Sequence, residues 1–241
     1  MPVPGEVPQE IGRAYVQVLV GCLERTLRHF RRSFEVASNA EKLTFEGMTG
    51  TSYSFDVLGV FAHPAHHYEV FLECKGHKDG SHVLESYKEF VAKAYATSVM
   101  YSRHRGDLFW FVTNVPFGSS VGRRLTSREF MLSALTTDRN EKVEAILGAA
   151  PVDRAFVSSL SQRVAVCIFT DSFVKLMGVT YFVRRGESVW SIIRVLHGGR
   201  IPRPQFAPVA ELVGTLNNLA NVNRIKAGQR LHIPWFGLSW D

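Results

Sequence analysis

Apolar residues Val16, Leu19, Leu23, Leu27, Phe30 and Phe34 recur three and four apart, which predicts an opening helix with arginines on its far face. A polar stretch with Asn39, Gly47 and Gly50 follows. Two strand patterns come next, over 53–61 and 69–75, joined by a turn containing His63, Pro64, His66 and His67. After a loop at 76–81, Leu84, Tyr87, Val91, Tyr95 and Val99 mark a second helix. The apolar run 108–113, closed by Asn114 and Pro116, predicts a buried strand. A charged helical stretch over 127–148 and a buried strand over 164–169 complete this region. Helices alternating with strands predict an α/β layer fold.

The pattern changes near Gly178, which divides the chain into a domain at 1–178 and a smaller one at 179–241. A short strand over 181–183 leads to a turn and a helix with Ser188 as N-cap and Trp190, Ile193 and Leu196 facing inward. Three prolines in eight residues predict a loop over 201–208. A short helix over 209–217, a turn over 221–228 and a strand over 230–233 end the pattern.

Of the 241 residues, 46% are hydrophobic and 21% charged, which excludes a disordered or collagen-like chain. No window reaches the roughly 18 continuous apolar residues of a membrane helix. The start carries Pro and Glu without a basic region, so it does not read as a signal peptide. Cys22, Cys74 and Cys167 are odd in number and sit in apolar runs, as reduced thiols do. Together these features predict a cytoplasmic protein with no membrane partner. The net charge of +6 is uneven: +1 over 1–178 and +5 over 179–241.

Asp56 lies within the first strand pattern, and Glu73 and Lys75 lie near the end of the next. A strand period of two puts Glu73 and Lys75 on one face and Cys74, with Val70 and Leu72, on the other. Acids amid apolar neighbours are costly without partners, and a hard divalent cation would satisfy them. Asp56 followed by Glu73-Cys74-Lys75 resembles the PD-(D/E)xK nuclease superfamily, the restriction-endonuclease-like fold. The resemblance covers about residues 11–175 and implies a mixed sheet flanked by helices. It implies that the acid and the E-x-K lie on adjacent antiparallel strands. It also implies a further acid on the preceding helix, for which Glu24 fits, and a polar residue on the following one, for which Lys88 fits. Phe55 stands where the family's hallmark proline would be.

The implied chemistry is phosphodiester hydrolysis with magnesium, which manganese could replace. Asp56, Glu73 and the Cys74 carbonyl would hold the ion. Lys75 would orient the attacking water and stabilise the developing charge, giving a 5′-phosphate product. Arg103, Arg105, Arg123, Arg124 and Arg128 are candidates for phosphate contacts, and a solvated surface explains them as well. His63, His66 and His67 lack a convincing fourth zinc ligand. Phe109-Trp110-Phe111 could stack bases, although a buried central strand fits it better.

The run Tyr181-Phe182-Val183-Arg184-Arg185-Gly186-Glu187-Ser188-Val189-Trp190-Ser191-Ile192 resembles the opening of a LysM domain. Leu216-Asn217-Asn218-Leu219 and the run from Ile225 to Pro234 resemble its middle and end. The resemblance implies a small βααβ fold, with Trp190, Leu216, Ile225, Leu231 and Ile233 in its core. It also implies a groove for N-acetylglucosamine glycans between 186–188 and 219–224. A partner protein or a small molecule are alternative ligands, and the basic surface suits nucleic acid.

The expectation is therefore a metal-dependent nuclease acting on nucleic acid, DNA first, with a LysM recognition module. By analogy it would be an anti-phage defence effector, and cutting both strands of a duplex would favour a homodimer. Two other classes stay open: a non-catalytic glycan- or protein-binding scaffold, and a structural subunit of a phage-like assembly.

Overall fold

The computed structural model describes residues 6–27, 30–63, 66–76, 82–104, 107–117, 119–122, 124–170, 174, 179–196 and 203–233. Arg105 and Arg123 lie outside them. The chain divides into two compact units, Leu27–Ile168 and Met1–Thr26 with Phe169–Asp241. This differs from the expected division into 1–178 and 179–241, because the first helix groups with the C-terminal segment.

The larger unit is built on a mixed five-stranded sheet. Its strands are β1 (Phe30–Glu35), β4 (Val57–His63), β5 (His66–Lys75), β6 (Leu108–Thr113) and β7 (Val164–Ile168), lying in that order. The first three are antiparallel neighbours, and β5, β6 and β7 run parallel. Phe30 and Phe34, expected at the end of the first helix, lie in β1 instead. A spacing of four fits both a helical turn and every second strand position, so periodicity could not separate the two. The expected strand over 53–61 is interrupted. Its first part, β3 (Ser52–Ser54), pairs with β2 (Thr44–Glu46), and β4 begins only at Val57.

Helix α3 (Val83–Met100) packs on the sheet face that carries Phe71, Phe109 and Phe111. Phe71 and Phe109 stack with ring centroids 5.6 Å apart, and Phe55 sits 5.1 Å from Phe71. Phe109, Trp110 and Phe111 are all buried, so they are core residues. The expected helix over 127–148 is two helices, α5 (Arg128–Thr136) and α6 (Glu141–Leu147), and α7 (Arg154–Ser161) follows. Ser127 and Asn140 cap α5 and α6 by accepting from Phe130 N and Val143 N. Short α2 (Val36–Leu43) and α4 (Ser119–Gly122) complete the unit's helices among the described residues.

In the other unit, α1 (Glu6–Thr26) packs against α9 (Arg203–Leu216). Strand β8 (Val179–Phe182), α8 (Val189–Leu196), α9 and β9 (Arg230–Ile233) give the order strand, helix, helix, strand, with β8 and β9 antiparallel. The inward residues of α8 are Val189, Ile192 and Ile193, whereas Trp190 and Leu196, expected inside, are half-buried. Helix α9 starts six residues before the expected boundary. Pro204 falls in its first turn, where backbone N–H groups have no helical partner, so the missing donor costs little there. Asn217 ties α9 to β9: its Nδ2 donates to His232 O and its Oδ1 accepts from His232 N, both at 2.7 Å. Gly186 and Gly228 adopt positive φ, which suits the turns they occupy. Among the described residues no helix is long and apolar enough to cross a membrane.

Candidate active site

The strand break at Phe55–Asp56 builds the site. Phe55 is buried in the aromatic core and its N–H donates to Leu43 O. Asp56 N donates to Leu72 O, and Asp56 Oδ2 accepts from Cys74 N at 2.7 Å. The side chain of Asp56 thus serves as a backbone partner for the last turn of the β4–β5 ladder, which fixes it beside Glu73.

Glu73 shares a face of β5 with Phe71 and Lys75, pointing toward α3. It is buried, and its Oε1 takes Lys75 Nζ at 2.6 Å and Lys93 Nζ at 3.0 Å. Lys93 comes from the middle of α3 and is itself buried. It also contacts Glu89 Oε1 at 3.0 Å and donates to Ser54 O at 3.2 Å. Glu89 in turn takes Lys142 of α6 at 2.9 Å. Glu73 Oε2 is buried without a hydrogen-bond partner among the described residues.

The electrostatics follow from this crowding. Burial, and then the Glu73 charge, push the Asp56 carboxyl up to about 6 against the pull of Lys75, the Cys74 N–H and Lys93. Burial also works against ionised Glu73, but Lys93 and Lys75 outweigh it and hold that carboxyl below the ordinary range. Glu73 in particular holds the Lys75 ammonium well above its ordinary range, against burial. Lys93 is likewise raised, because Glu73 and Glu89 together overcome its burial. Burial pushes the Cys74 thiol far up, followed by the Asp56 and Glu73 charges.

Asp56, Glu73, Cys74 and Lys75 therefore come together as expected from their order. One expected residue, Lys88, does not join them. Lys88 Nζ is held by Glu85 at 3.1 Å and Asp138 at 2.9 Å. Five residues separate Lys88 from Lys93, about 140° around the helix, so only Lys93 faces Glu73. Glu24 lies on α1, in the other compact unit, and is half-buried. The acid that α3 adds beside Glu73's lysine is Glu89. A signal for this was present: Lys93 interrupts the apolar run Phe90-Val91-Ala92 and Ala94-Tyr95-Ala96, and Glu89 stands one turn before it.

The donor set suits a hard divalent cation. Asp56 and Glu73 supply two carboxylates, and the buried Glu73 Oε2 has capacity left over. A second acidic group lies elsewhere on the unit. His104 Nδ1 meets Asp107 Oδ2 at 2.6 Å and Glu69 Oε2 at 3.7 Å, and the three side chains could together approach a metal ion. Of the expected phosphate contacts, Arg124 and Arg128 are exposed.

No family model and no curated protein matches the chain. A solved structure of an Acinetobacter baumannii Cap4 receptor containing a SAVED/CARF domain is similar at a TM-score of 0.33 and 15% identity. The match covers 87% of this chain, which spans 42% of the length of that one.

Proposed function

We propose that the protein is a metal-dependent nuclease that hydrolyses phosphodiester bonds of nucleic acid, DNA in the first instance, on a restriction-endonuclease-like sheet. One observation carries the reading: a buried carboxylate, Glu73, is held on one oxygen by two lysines and left open on the other, beside a second carboxylate at a strand break. Asp56 and Glu73 would hold magnesium or manganese, with the Cys74 carbonyl at the same strand end. Bound there, the ion would lower the pKa of a coordinated water and offset the negative charge gathering on the phosphoryl oxygens. Lys75 is the reactive cation. It is about one-third exposed, whereas Lys93 is buried, so Lys75 can reach a substrate phosphate or an attacking water. Its raised pKa keeps it charged, suited to electrostatic stabilisation rather than to removing a proton.

The strand-helix-helix-strand order and the two positive-φ glycines support reading residues 179–233 as a LysM-like recognition module. Its ligand would be a glycan, a small molecule or a partner protein. A nuclease joined to such a module suits an effector acting on foreign DNA. The direct test incubates purified protein with plasmid, single-stranded DNA and RNA, with magnesium, with manganese or with chelator. Metal-dependent cleavage that Glu73→Gln removes supports the reading. Cleavage unaffected by Glu73→Gln, or none on any substrate, overturns it.

A further inference from the structure

Two ammonium groups meet one carboxylate oxygen at the site, and they are not equivalent. Lys75 has one acid within ion-pair distance among the described residues and is partly exposed, so it can leave Glu73 for solvent or substrate. Lys93 is nearly shut off from solvent: its side chain is 7% exposed. It does have a second place to go. The same Nζ lies 3.0 Å from Glu73 Oε1 and 3.0 Å from Glu89 Oε1, with Ser54 O at 3.2 Å. A buried charge that loses its only partner is costly, so a lysine at this depth needs an acceptor in every state of the site. Glu89 provides it. Glu89 is itself shared with Lys142 at 2.9 Å, a largely exposed residue that can yield to Lys93.

We propose that Lys93 is an internal counter-cation for the metal site, neutralising Glu73 while the site is empty and passing to Glu89 and Ser54 O when a divalent ion takes the carboxylate. The inference rests on the metal-site reading of Asp56 and Glu73. It explains why Glu73 and Glu89 flank one lysine at equal distance. It also explains how a carboxylate 1% exposed stays ionised before the ion arrives. The consequence is that Lys93 competes with the metal, while Glu89 assists the metal by drawing Lys93 away. Two neighbouring side chains, neither of them a metal ligand, thus act on affinity with opposite signs.

The experiment titrates Mn2+ into the full-length protein, following free Mn2+ by electron paramagnetic resonance, with thermal melting as the check on folding. Lys93→Met removes a unit charge about 3 Å from Glu73 and should tighten Mn2+ binding at least about tenfold. Glu89→Gln leaves Lys93 on Glu73 and should weaken it by roughly the same factor. Lys93→Arg, which restores the charge, should return affinity toward the wild-type value. Unchanged or weaker binding by folded Lys93→Met overturns the proposal. So does unchanged or tighter binding by Glu89→Gln, which decides the matter alone if Lys93→Met fails to fold. If the wild type binds no Mn2+, or Glu73→Gln binds as well as wild type, the metal-site reading falls and the counter-cation with it. If only Glu73→Gln weakens binding, the site stands and the counter-cation is wrong.

Discussion

One face of β5 carries two charged clusters, separated by Phe71. Toward its start, Glu69 meets His104 and Asp107; toward its end, Glu73 meets Lys75 and Lys93. They are built on different principles. His104 is buried edge-on against Phe71 and Phe45, with centroids 5.0 and 5.5 Å apart, and Asp107 lies at hydrogen-bond distance. Glu69, the outer member, is half-exposed at 51%. Water therefore shares the burden there, and the ring packing does most of the holding. At the other end the carboxylate is buried, two lysines share one of its oxygens, and the other oxygen has no partner among the described residues. A buried polar atom left unpaired costs about 1–3 kcal/mol, so the open Glu73 oxygen makes this the less settled of the two ends.

That contrast predicts where substitution destroys activity. Glu73→Gln and Lys75→Ala should each lower the cleavage rate by about two to three orders of magnitude, the first because it removes a carboxylate that would hold the ion, the second because it removes a positive charge aimed at the transition state. Lys75→Ala should melt close to wild type, since Glu73 keeps Lys93 and the lost side chain is partly exposed. Wild-type turnover by Lys75→Ala would break the assignment of the two ends.

The opposite pattern is expected at His104. His104→Ala removes a ring from between Phe45 and Phe71 and should cost about 2–4 kcal/mol of stability. The rate per folded molecule should be unchanged. A loss of rate without a loss of stability would make the Glu69 end part of the chemistry.

How much of this contrast the sequence displays depends on which residues fix each feature. The order Asp56, Glu73, Lys75 is readable, because a strand period of two places Glu73 and Lys75 on one face whatever the surroundings. The break that positions Asp56 is not: residues 53–61 alternate well enough for one strand, and only the pairing of β3 with β2 shows that the ladder restarts at Val57. On α3 the pattern marks both lysines as near the buried stripe. Choosing Lys93 over Lys88 needs the angle at which the helix crosses the sheet, a tertiary property. The small module behaves similarly. Its four elements follow from glycine, proline and apolar spacing, while the early start of α9 places Pro204 in its first turn and Pro208 at its sixth residue, against what proline predicts.

A pH measurement separates the two carboxylates of the site itself. The Asp56 carboxyl is raised to about 6, above the roughly 3.9 of an unfolded chain. Between those values the folded protein binds more protons than the unfolded one, so this group makes stability fall as pH rises from about 4 to 6. Asp56→Asn lacks that penalty and can still accept from Cys74 N. Without added metal it should therefore be more stable than wild type at pH 7.5, by roughly 3 kcal/mol, with the difference vanishing near pH 4. Equal stability at pH 7.5 would show that burial and the Glu73 charge do not raise the Asp56 carboxyl.

The smallest effects are expected from charges that look similar in sequence but whose ion pairs open to water. Lys88 pairs with Glu85 and Asp138, whose side chains are 46% and 61% exposed, and Glu69 reaches His104 only at 3.7 Å. Exposed partners are solvated when the pair is lost, so little of the pairing energy is net. Glu69→Gln should change stability by no more than about 0.5 kcal/mol and leave both Mn2+ affinity and cleavage rate as they were. Lys88→Ala should cost somewhat more, because its side chain is buried, yet it too should leave the rate alone. The discriminating comparison is Lys88→Ala with Lys93→Met on the same helix. Both delete a buried lysine, so a general electrostatic effect of α3 would move Mn2+ affinity in both, whereas contact with Glu73 would move it only in Lys93→Met.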